Sequence, residues 1–140
     1  MSVEGNLAAV NLMASDTQNC VPRDWAGNRL TLAAIWGMPA AAMLLALLLE
    51  PVARAVVWTV MLAWMGWACL QNARRCGRTH CRYTGPFFLA MAVLVVAYAT
   101  GIVPLGDRPW LILGMLTVAG NVLIWWGSER LLGTYSRRRD

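Results

Sequence analysis

Four long apolar runs constrain this chain more than any other feature. The first, Leu30 to Leu49, contains no charged residue, and a helix of roughly 20 apolar residues can cross the hydrocarbon core of a bilayer. The others cover about residues 52–70, 86–103 and 110–127. Lipid cannot satisfy an open backbone, so spanning segments of this kind are helical. The sequence therefore predicts an all-α integral membrane protein.

The composition agrees with this prediction. The chain is 59% hydrophobic and 14% charged, with a mean hydropathy of +0.51, whereas a soluble domain is about 45–50% apolar and about 25% charged. Its net charge of +5 comes from arginine without any lysine. Because the arginines flank the apolar runs, we interpret them as topology signals and predict no nucleic-acid partner.

The connections between the apolar runs predict how the helices pair. Glu50-Pro51 separates the first two runs, and the turn "PLGDRP" separates the last two. Short connections favour antiparallel neighbours, so we predict a four-helix bundle of two antiparallel hairpins, helix 1 with 2 and helix 3 with 4. The four-helix domain would cover residues 30–128, between a tail at 1–29 and a basic tail at 129–140.

Arginine placement predicts the orientation in the membrane. Four spans put both tails and the 71–85 segment on one face, which carries ten of the twelve arginines; Arg54 and Arg108 are on the other. Positive charge accumulates on the cytoplasmic side. We therefore expect a multi-pass protein of the bacterial inner (plasma) membrane, with both termini in the cytoplasm.

The predicted spans carry no ionisable side chain at depth. Such groups mark proton relays and charged-substrate paths, so an ordinary proton pump or ion-coupled transporter is not indicated. The chain has one histidine and scattered acids, and no paired-carboxylate or nucleophile motif can be assembled. We predict that the protein is not an enzyme and assign no cofactor beyond a possible soft metal ion.

Small residues at helical spacing predict where helices would touch. Association in lipid depends on close packing, which small side chains permit. Ala33, Gly37 and Ala41 recur every four residues in the first run, and we expect this stripe to be a contact face.

The cysteines are the candidate chemical groups. On the predicted topology Cys20, Cys69, Cys76 and Cys81 lie at or near the reducing cytoplasmic side, so we expect free thiols. The segment "CGRTHC" adds His80 between the last two. Thiolate and imidazole are ligands of soft and borderline metals. The predicted metal ligands are Cys76, His80, Cys81 and Cys69, with Cys20 as a possible further ligand.

This cysteine spacing also has a purely structural interpretation. It does not match the paired C-x2-4-C pattern of zinc sites or the C-x-x-C-H pattern of c-type haem. The arginines of 71–85 would then set topology while Gly77 and Gly85 shape a loop. In that loop Thr84 would cap helix 3, with Pro86 in its first turn.

The segment "NARRCGRTHCRYTGPFFLAMA", with "PLG", "WW" before "ER" and "GTYS" downstream, resembles a group of small uncharacterised bacterial inner-membrane proteins. The resemblance covers about Trp58 to Ser136 and implies membrane location. The chain is more loosely similar to small mercuric-ion transport proteins, which are compact helical bundles that use cysteines. Those have a cysteine pair in the first span, whereas residues 30–49 contain none here.

Three functional hypotheses follow. The first is a membrane protein whose cytoplasmic Cys/His cluster binds or transfers a soft metal ion such as mercury, copper or zinc. The second is a non-enzymatic subunit or assembly factor of a larger membrane complex, or a homo-oligomer, in which the small-residue stripe binds partner helices and the arginines contact lipid. The third is a thiol redox sensor in which Cys76 and Cys81 form a disulfide.

Overall fold

Four helices, each long and apolar enough to cross a membrane, account for most of the residues that the structure describes. The structure is a computed structural model, and it describes residues 29–76 and 79–132. No strand occurs in those two ranges, so the predicted all-α class with four candidate spans is confirmed for them. The helices are α1 (Arg29–Leu48), α2 (Pro51–Cys76), α3 (Thr79–Ala99) and α4 (Pro109–Leu132).

Helix α1 changes its winding along its length because of Pro39. Residues Ala33–Gly37 form a π-helical stretch in which the Met38 N–H bonds to Ala33 O. Proline has no N–H to donate and its ring crowds the carbonyl four residues earlier. Widening the helix just before Pro39 relieves that conflict. The helix ends in a 3-10 turn over Ala46–Leu48.

A proline and an arginine organise the connection between α1 and α2. Pro51 begins α2, where its missing N–H would have had no helical partner. Arg54 Nη2 donates to Leu49 O over 2.7 Å. The guanidinium thus satisfies a carbonyl left free after the end of α1.

Helices α2 and α3 make the most extensive contact in the bundle. They run in opposite directions, since Gly66 meets Gly85 near the middle while Asn72 meets Cys81 nearer the connection. A Cβ placed on Gly66 would lie 2.9 Å from Gly85 O. The absence of both side chains therefore lets the two backbones touch.

Helix α4 packs on α3 through ring contacts along its length. The Tyr98 and Trp110 rings meet edge to face at 5.7 Å, and the His80 and Trp125 rings are 6.0 Å apart. As the residue number rises along α4 its partner's number falls along α3, so these helices also run in opposite directions. The predicted grouping into two separate hairpins stays a prediction, because α2 contacts α3 more than α1 does.

The predicted 71–85 loop is wrong for the residues that the structure describes. Helix α2 continues to Cys76 and α3 begins at Thr79, so 77–78 alone lie between them. Thr84 is therefore not an N-cap, and Pro86 lies inside α3. Around this connection the helices extend beyond the apolar runs, because helix formation needs backbone pairing whereas the runs mark only the most apolar part. At its other end α3 stops at Ala99, short of the predicted 103, and Gly101 follows in a left-handed conformation.

The small-residue stripe of α1 is also not buried against the other helices that the structure describes. Ala33, Gly37 and Ala41 are all exposed. Helix α1 instead packs on α2 with its opposite side, on which Met43 and Ala46 are buried. The close-packed small residues are Gly66 and Gly85. The predicted tails at 1–29 and 129–140 lie almost wholly outside the described residues.

A buried dithiol as candidate functional site

The glycine contact brings two cysteines to the same level of the bundle. Cys69 follows Gly66 by three residues on α2, and Cys81 precedes Gly85 by four on α3. Residues three or four apart lie on one face of a helix. Since the helices run in opposite directions, both cysteines lie in the α2–α3 contact, on the same side of the glycines.

Neither cysteine forms a disulfide, and both are almost completely buried. Cys69 is 2% exposed and Cys81 is 0% exposed. Their side chains lie next to each other. The structure thus places a pair of adjacent thiols inside the bundle, where neither is a surface group.

Each cysteine is followed three residues later by a polar side chain that serves the other sulfur. Asn72 follows Cys69, and its Nδ2 donates to Cys81 Sγ over 3.6 Å. Thr84 follows Cys81, and its Oγ1 lies 3.6 Å from Cys69 Sγ. This reciprocal arrangement, hereafter the dithiol site, consists of Cys69, Asn72, Cys81 and Thr84.

A third helix also reaches the site. The Trp36 side chain of α1 lies beside Cys69, and an indole N–H can only donate a hydrogen bond. Hydrogen-bond donors therefore approach both sulfurs. The thiolate is the metal-binding and nucleophilic form of cysteine.

Thr84 has a choice of acceptors. Its hydroxyl lies 2.9 Å from His80 O and 3.6 Å from Cys69 Sγ, and it has one proton to donate. When Cys69 is a thiol, its S–H can donate to the threonine oxygen. When Cys69 is a thiolate, the hydroxyl can turn and donate to the sulfur instead.

The His80 ring lies away from the dithiol site, although the His80 carbonyl oxygen is 2.9 Å from the Thr84 hydroxyl. It precedes Cys81 by one residue, a rotation of about 100° around the helix, and its ring faces Trp125 of α4 at a centroid distance of 6.0 Å. The Cys76 side chain and Cys20 lie outside the described part of the chain. Of the predicted ligands, the structure brings Cys69 and Cys81 together and places His80 elsewhere.

Within the described residues, no group of three or more cysteine, histidine or acidic side chains is arranged to hold a metal ion. The polar partners Asn72, Thr84 and Trp36 were not predicted from the sequence. Their signal was present as the repeated Cys-x-x-polar spacing in "CLQN" and "CRYT". This spacing predicts contacts with the sulfurs only once α2 and α3 are known to be antiparallel helices, because each polar residue then lies beside the cysteine of the other helix.

The other end of the bundle holds an apolar cavity. It has a volume of about 520 Å³ and lies between the first turns of α2 and the last turns of α3, beside Trp110. The Thr59 and Thr100 hydroxyls at its wall already bond to their own helix, to Ala55 O and Val96 O. The cavity wall is therefore chemically unlike the dithiol site.

Comparison with known proteins identifies no relative. No protein-family description matches the chain, and no curated protein or solved structure is significantly similar to it.

Proposed function

We propose that this chain is a multi-pass inner-membrane protein that binds a soft metal ion between the thiolates of Cys69 and Cys81. The observation that carries the proposal is the reciprocal hydrogen bonding of the two buried sulfurs by Asn72 and Thr84. Thiolates are the preferred ligands of soft cations. Two buried negative charges are costly unless a cation compensates them, which a bound metal ion would do.

The proposal narrows the ligand set expected from the sequence. Cys69 and Cys81 are the metal ligands, whereas His80 and Cys76 are not required. Mercury and copper are the leading ions, and zinc is disfavoured because its protein sites use several ligands in tetrahedral arrangement.

The proposed topology determines on which side of the membrane the dithiol site would lie. With both termini in the cytoplasm, the α2–α3 connection faces the cytoplasm, and the dithiol site lies just inside that boundary. The arginines near this connection, such as Arg74 and Arg82, are exposed and would contact anionic headgroups. An ion would reach the thiols from the reducing side of the membrane, where they stay reduced.

Equilibrium binding by the purified protein tests the proposal. Reduced, metal-free protein in mild detergent should take up one Hg(II) or Cu(I) per chain, with new thiolate-to-metal absorbance in the ultraviolet. Cys69→Ser and Cys81→Ser should each abolish the tight site, because one thiolate cannot replace two. Cys76→Ser and His80→Ala are the matched controls and should keep full stoichiometry.

The control variants make the result decisive. If Cys69→Ser and Cys81→Ser bind the ion as the unchanged protein does while retaining their helical circular dichroism, the proposal is wrong. If Cys76→Ser alone removes binding, the ion is held outside the α2–α3 contact.

A redox role is the second candidate function, and the adjacency of the two buried thiols favours it. The disulfide would then join Cys69 to Cys81, in place of the Cys76–Cys81 disulfide expected from the sequence. The two thiols would form a Cys69–Cys81 disulfide, losing two protons and two electrons to an oxidant such as hydrogen peroxide, which is reduced to water. Intact mass should fall by two hydrogens, and peptide mapping should link Cys69 to Cys81. A Cys76–Cys81 link would favour the pairing expected from the sequence.

The subunit hypothesis is supported by a different surface. Ala33, Gly37 and Ala41 form an exposed small-residue face on α1, of the kind that packs closely against another helix in lipid. Stoichiometric co-purification of a second membrane protein, or a dimer in mild detergent, would favour this role. If Gly37→Leu loses that association while its ion uptake is unchanged, partner binding and ion binding use different surfaces.

A further inference from the structure

We infer that two copies of this chain associate in the membrane through α4, with their Asn121 side chains hydrogen-bonded to each other across the interface. The inference goes beyond the proposed function and does not depend on ion binding at the dithiol site. It also uses a different surface from the small-residue face of α1. The observation that carries it is an asparagine deep in a candidate span whose side chain has no hydrogen-bond partner among the described residues.

Asn121 lies well inside the span of α4. The span covers Pro109–Ser128, and Asn121 precedes Ser128 by seven residues, which is about 10 Å at the rise of an α-helix. The hydrocarbon core of a bilayer is about 30 Å thick, so water and lipid headgroups do not reach the amide. A polar group placed in hydrocarbon without a hydrogen bond is destabilised.

The two hydroxyl side chains in the same span are satisfied within α4. Thr117 Oγ1 donates to Leu113 O over 2.7 Å, and the Ser128 hydroxyl bonds to a carbonyl one turn earlier. The Asn121 amide carries two donor hydrogens and an acceptor oxygen. It is partly exposed and makes no hydrogen bond to any group in residues 29–76 or 79–132. Its partner must therefore come from outside that part of the chain.

Asn121 belongs to a seven-residue pattern along α4 that the described helices leave largely uncovered. Leu111, Val118 and Trp125 recur every seven residues and are 57%, 65% and 49% exposed. Gly114 and Asn121 are also seven residues apart, and the spacings of three and four place all five residues in one stripe. This is the pattern by which one helix packs along another at a small crossing angle. Lipid can cover the apolar members of the stripe, but it cannot satisfy the amide.

Membrane insertion explains why the partner is a second copy. Copies of one chain insert with the same topology, so two α4 helices lie parallel and hold Asn121 at the same depth. The amide is self-complementary, because the NH2 group of one copy can donate to the carbonyl oxygen of the other. A two-fold axis gives both copies the same contacts. A single asparagine in a helical seam fixes register and oligomeric state, and interhelical hydrogen bonds stabilise association in lipid.

Energy transfer between donor-tagged and acceptor-tagged copies in lipid vesicles tests the inference. Full-length protein with tags at its C-terminus is diluted over a range of protein-to-lipid ratios, which gives a dimer dissociation constant. Asn121→Leu should raise that constant by about 3- to 30-fold, the range for one interhelical hydrogen bond. Asn121→Gln keeps the amide and should recover most of the association. Gly37→Leu, on α1, should leave the constant unchanged.

Cross-linking in the same vesicles tests the geometry. Under iodine, which enters the bilayer, Val118→Cys should form a disulfide between two copies at position 118, identified by peptide mapping. Leu116→Cys is the matched control. Leu116 is also exposed, but a rotation of about 200° separates the two positions around the helix, so it should not cross-link.

The outcomes separate this inference from the proposed function. The inference is wrong if the chain is monomeric at every ratio, or if helical Asn121→Leu associates as strongly as the unchanged protein. Loss of association in Gly37→Leu but not in Asn121→Leu assigns the dimer to α1 and also overturns it. A different membrane protein cross-linked at position 118 in native membranes rules out the second copy as the partner. Ion uptake should be equal in Asn121→Leu and the unchanged protein, and its absence from both would overturn only the proposed function.

Discussion

The two ends of this bundle are built from opposite kinds of side chain. At the aromatic end, defined by Trp58, Tyr98 and Trp110, the rings of Trp58 and Tyr98 both meet Trp110 edge to face, at 5.4 and 5.7 Å. At the thiol end, defined by the dithiol site and Gly66 with Gly85, the helices approach through glycine, cysteine and short polar residues. At the aromatic end, large rings fill the space between the helices. At the thiol end, small side chains let the helix backbones come close together.

The aromatic end mainly stabilises the fold, whereas the thiol end carries the reactive groups. Aromatic rings bury large apolar areas and have little reactivity, whereas thiols contribute modest packing and can bind metals or exchange electrons. Trp58 and Cys69 lie on one helix about 16 Å apart along its axis. Changes at sites this far apart usually add independently, so each end can be altered while the other serves as a control.

Trp58→Ala should have the largest effect on stability, about 3–5 kcal/mol. The side chain is 4% exposed, and its Nε1 donates to Met43 O over 3.0 Å. Its removal leaves a cavity against Trp110 and removes the hydrogen bond to Met43 O. Denaturant-induced unfolding in mixed micelles, followed by circular dichroism, measures the loss.

Trp64→Ala is the matched control for that prediction. Trp64 lies on the same helix but is 47% exposed, so its loss should cost far less. Both variants should bind one ion per chain where they are folded. An equal loss of stability in the two variants would contradict the assigned role of the aromatic end.

Gly66→Ala should cost about 1–3 kcal/mol, which is the usual range for overpacking. The new methyl group would lie 2.9 Å from Gly85 O, and a backbone atom cannot rotate away as a side chain can. The helices must separate, so we also expect weaker ion binding at Cys69 and Cys81. Chemical unfolding and ion titration measure the two effects.

Gly127→Ala provides the comparison. Nothing lies within 4 Å of a Cβ at that position of α4, and alanine favours a helix more than glycine does. Its stability should be unchanged or slightly raised. Destabilisation by Gly127→Ala as large as that by Gly66→Ala would mean that propensity or detergent effects, and not the glycine contact, dominate.

Hydropathy predicted much of the fold because a helix that crosses a bilayer must contain roughly 20 mostly apolar residues. The run at 30–49 lies within one residue of α1 as it was found. The same rule failed at 71–85, where Gln71 and Asn72 end the apolar run although α2 continues through them to Cys76. A polar side chain ends an apolar run without ending a helix, since the backbone hydrogen bonds are unaffected.

The candidate site was harder to predict because it depends on a register between two helices. The spacing of "CGRTHC" favoured ligands that are close in the sequence, which gave weight to His80 and Cys76. The structure instead pairs Cys81 with Cys69, because Gly66 and Gly85 fix how α2 and α3 align. Pro86 suggested a helix start, whereas α3 begins earlier and tolerates the proline inside it.

Thr84→Val tests the outer hydrogen bond of the thiol end. Valine has nearly the same shape but cannot donate to Cys69 Sγ. A hydrogen bond of this kind contributes about 0.5–1.5 kcal/mol, so ion affinity should fall by about 2- to 12-fold with little change in stoichiometry. Isothermal titration with a competing thiol ligand measures this change.

Thr84→Ser should recover most of the lost affinity, because serine restores the hydroxyl. A purely packing role predicts the reverse order, since valine fills the space better than serine does. Affinity that is retained in Thr84→Val and lost in Thr84→Ser would therefore remove Thr84 from the dithiol site.

Arg54→Lys should have the smallest effect, about 0.5–1 kcal/mol on unfolding and none on ion uptake. The Arg54 guanidinium lies 5.2 Å from the Trp110 ring centroid while its Nη2 bonds to Leu49 O. Lysine keeps the charge but loses the planar group that makes both contacts.

Arg130→Lys is the control, because Arg130 lies over the exposed ring of Trp126 at 4.5 Å. Its free energy of unfolding should fall by less than that of Arg54→Lys. A change in ion affinity in Arg54→Lys would mean that the two ends are coupled, since that residue has no described contact with either sulfur.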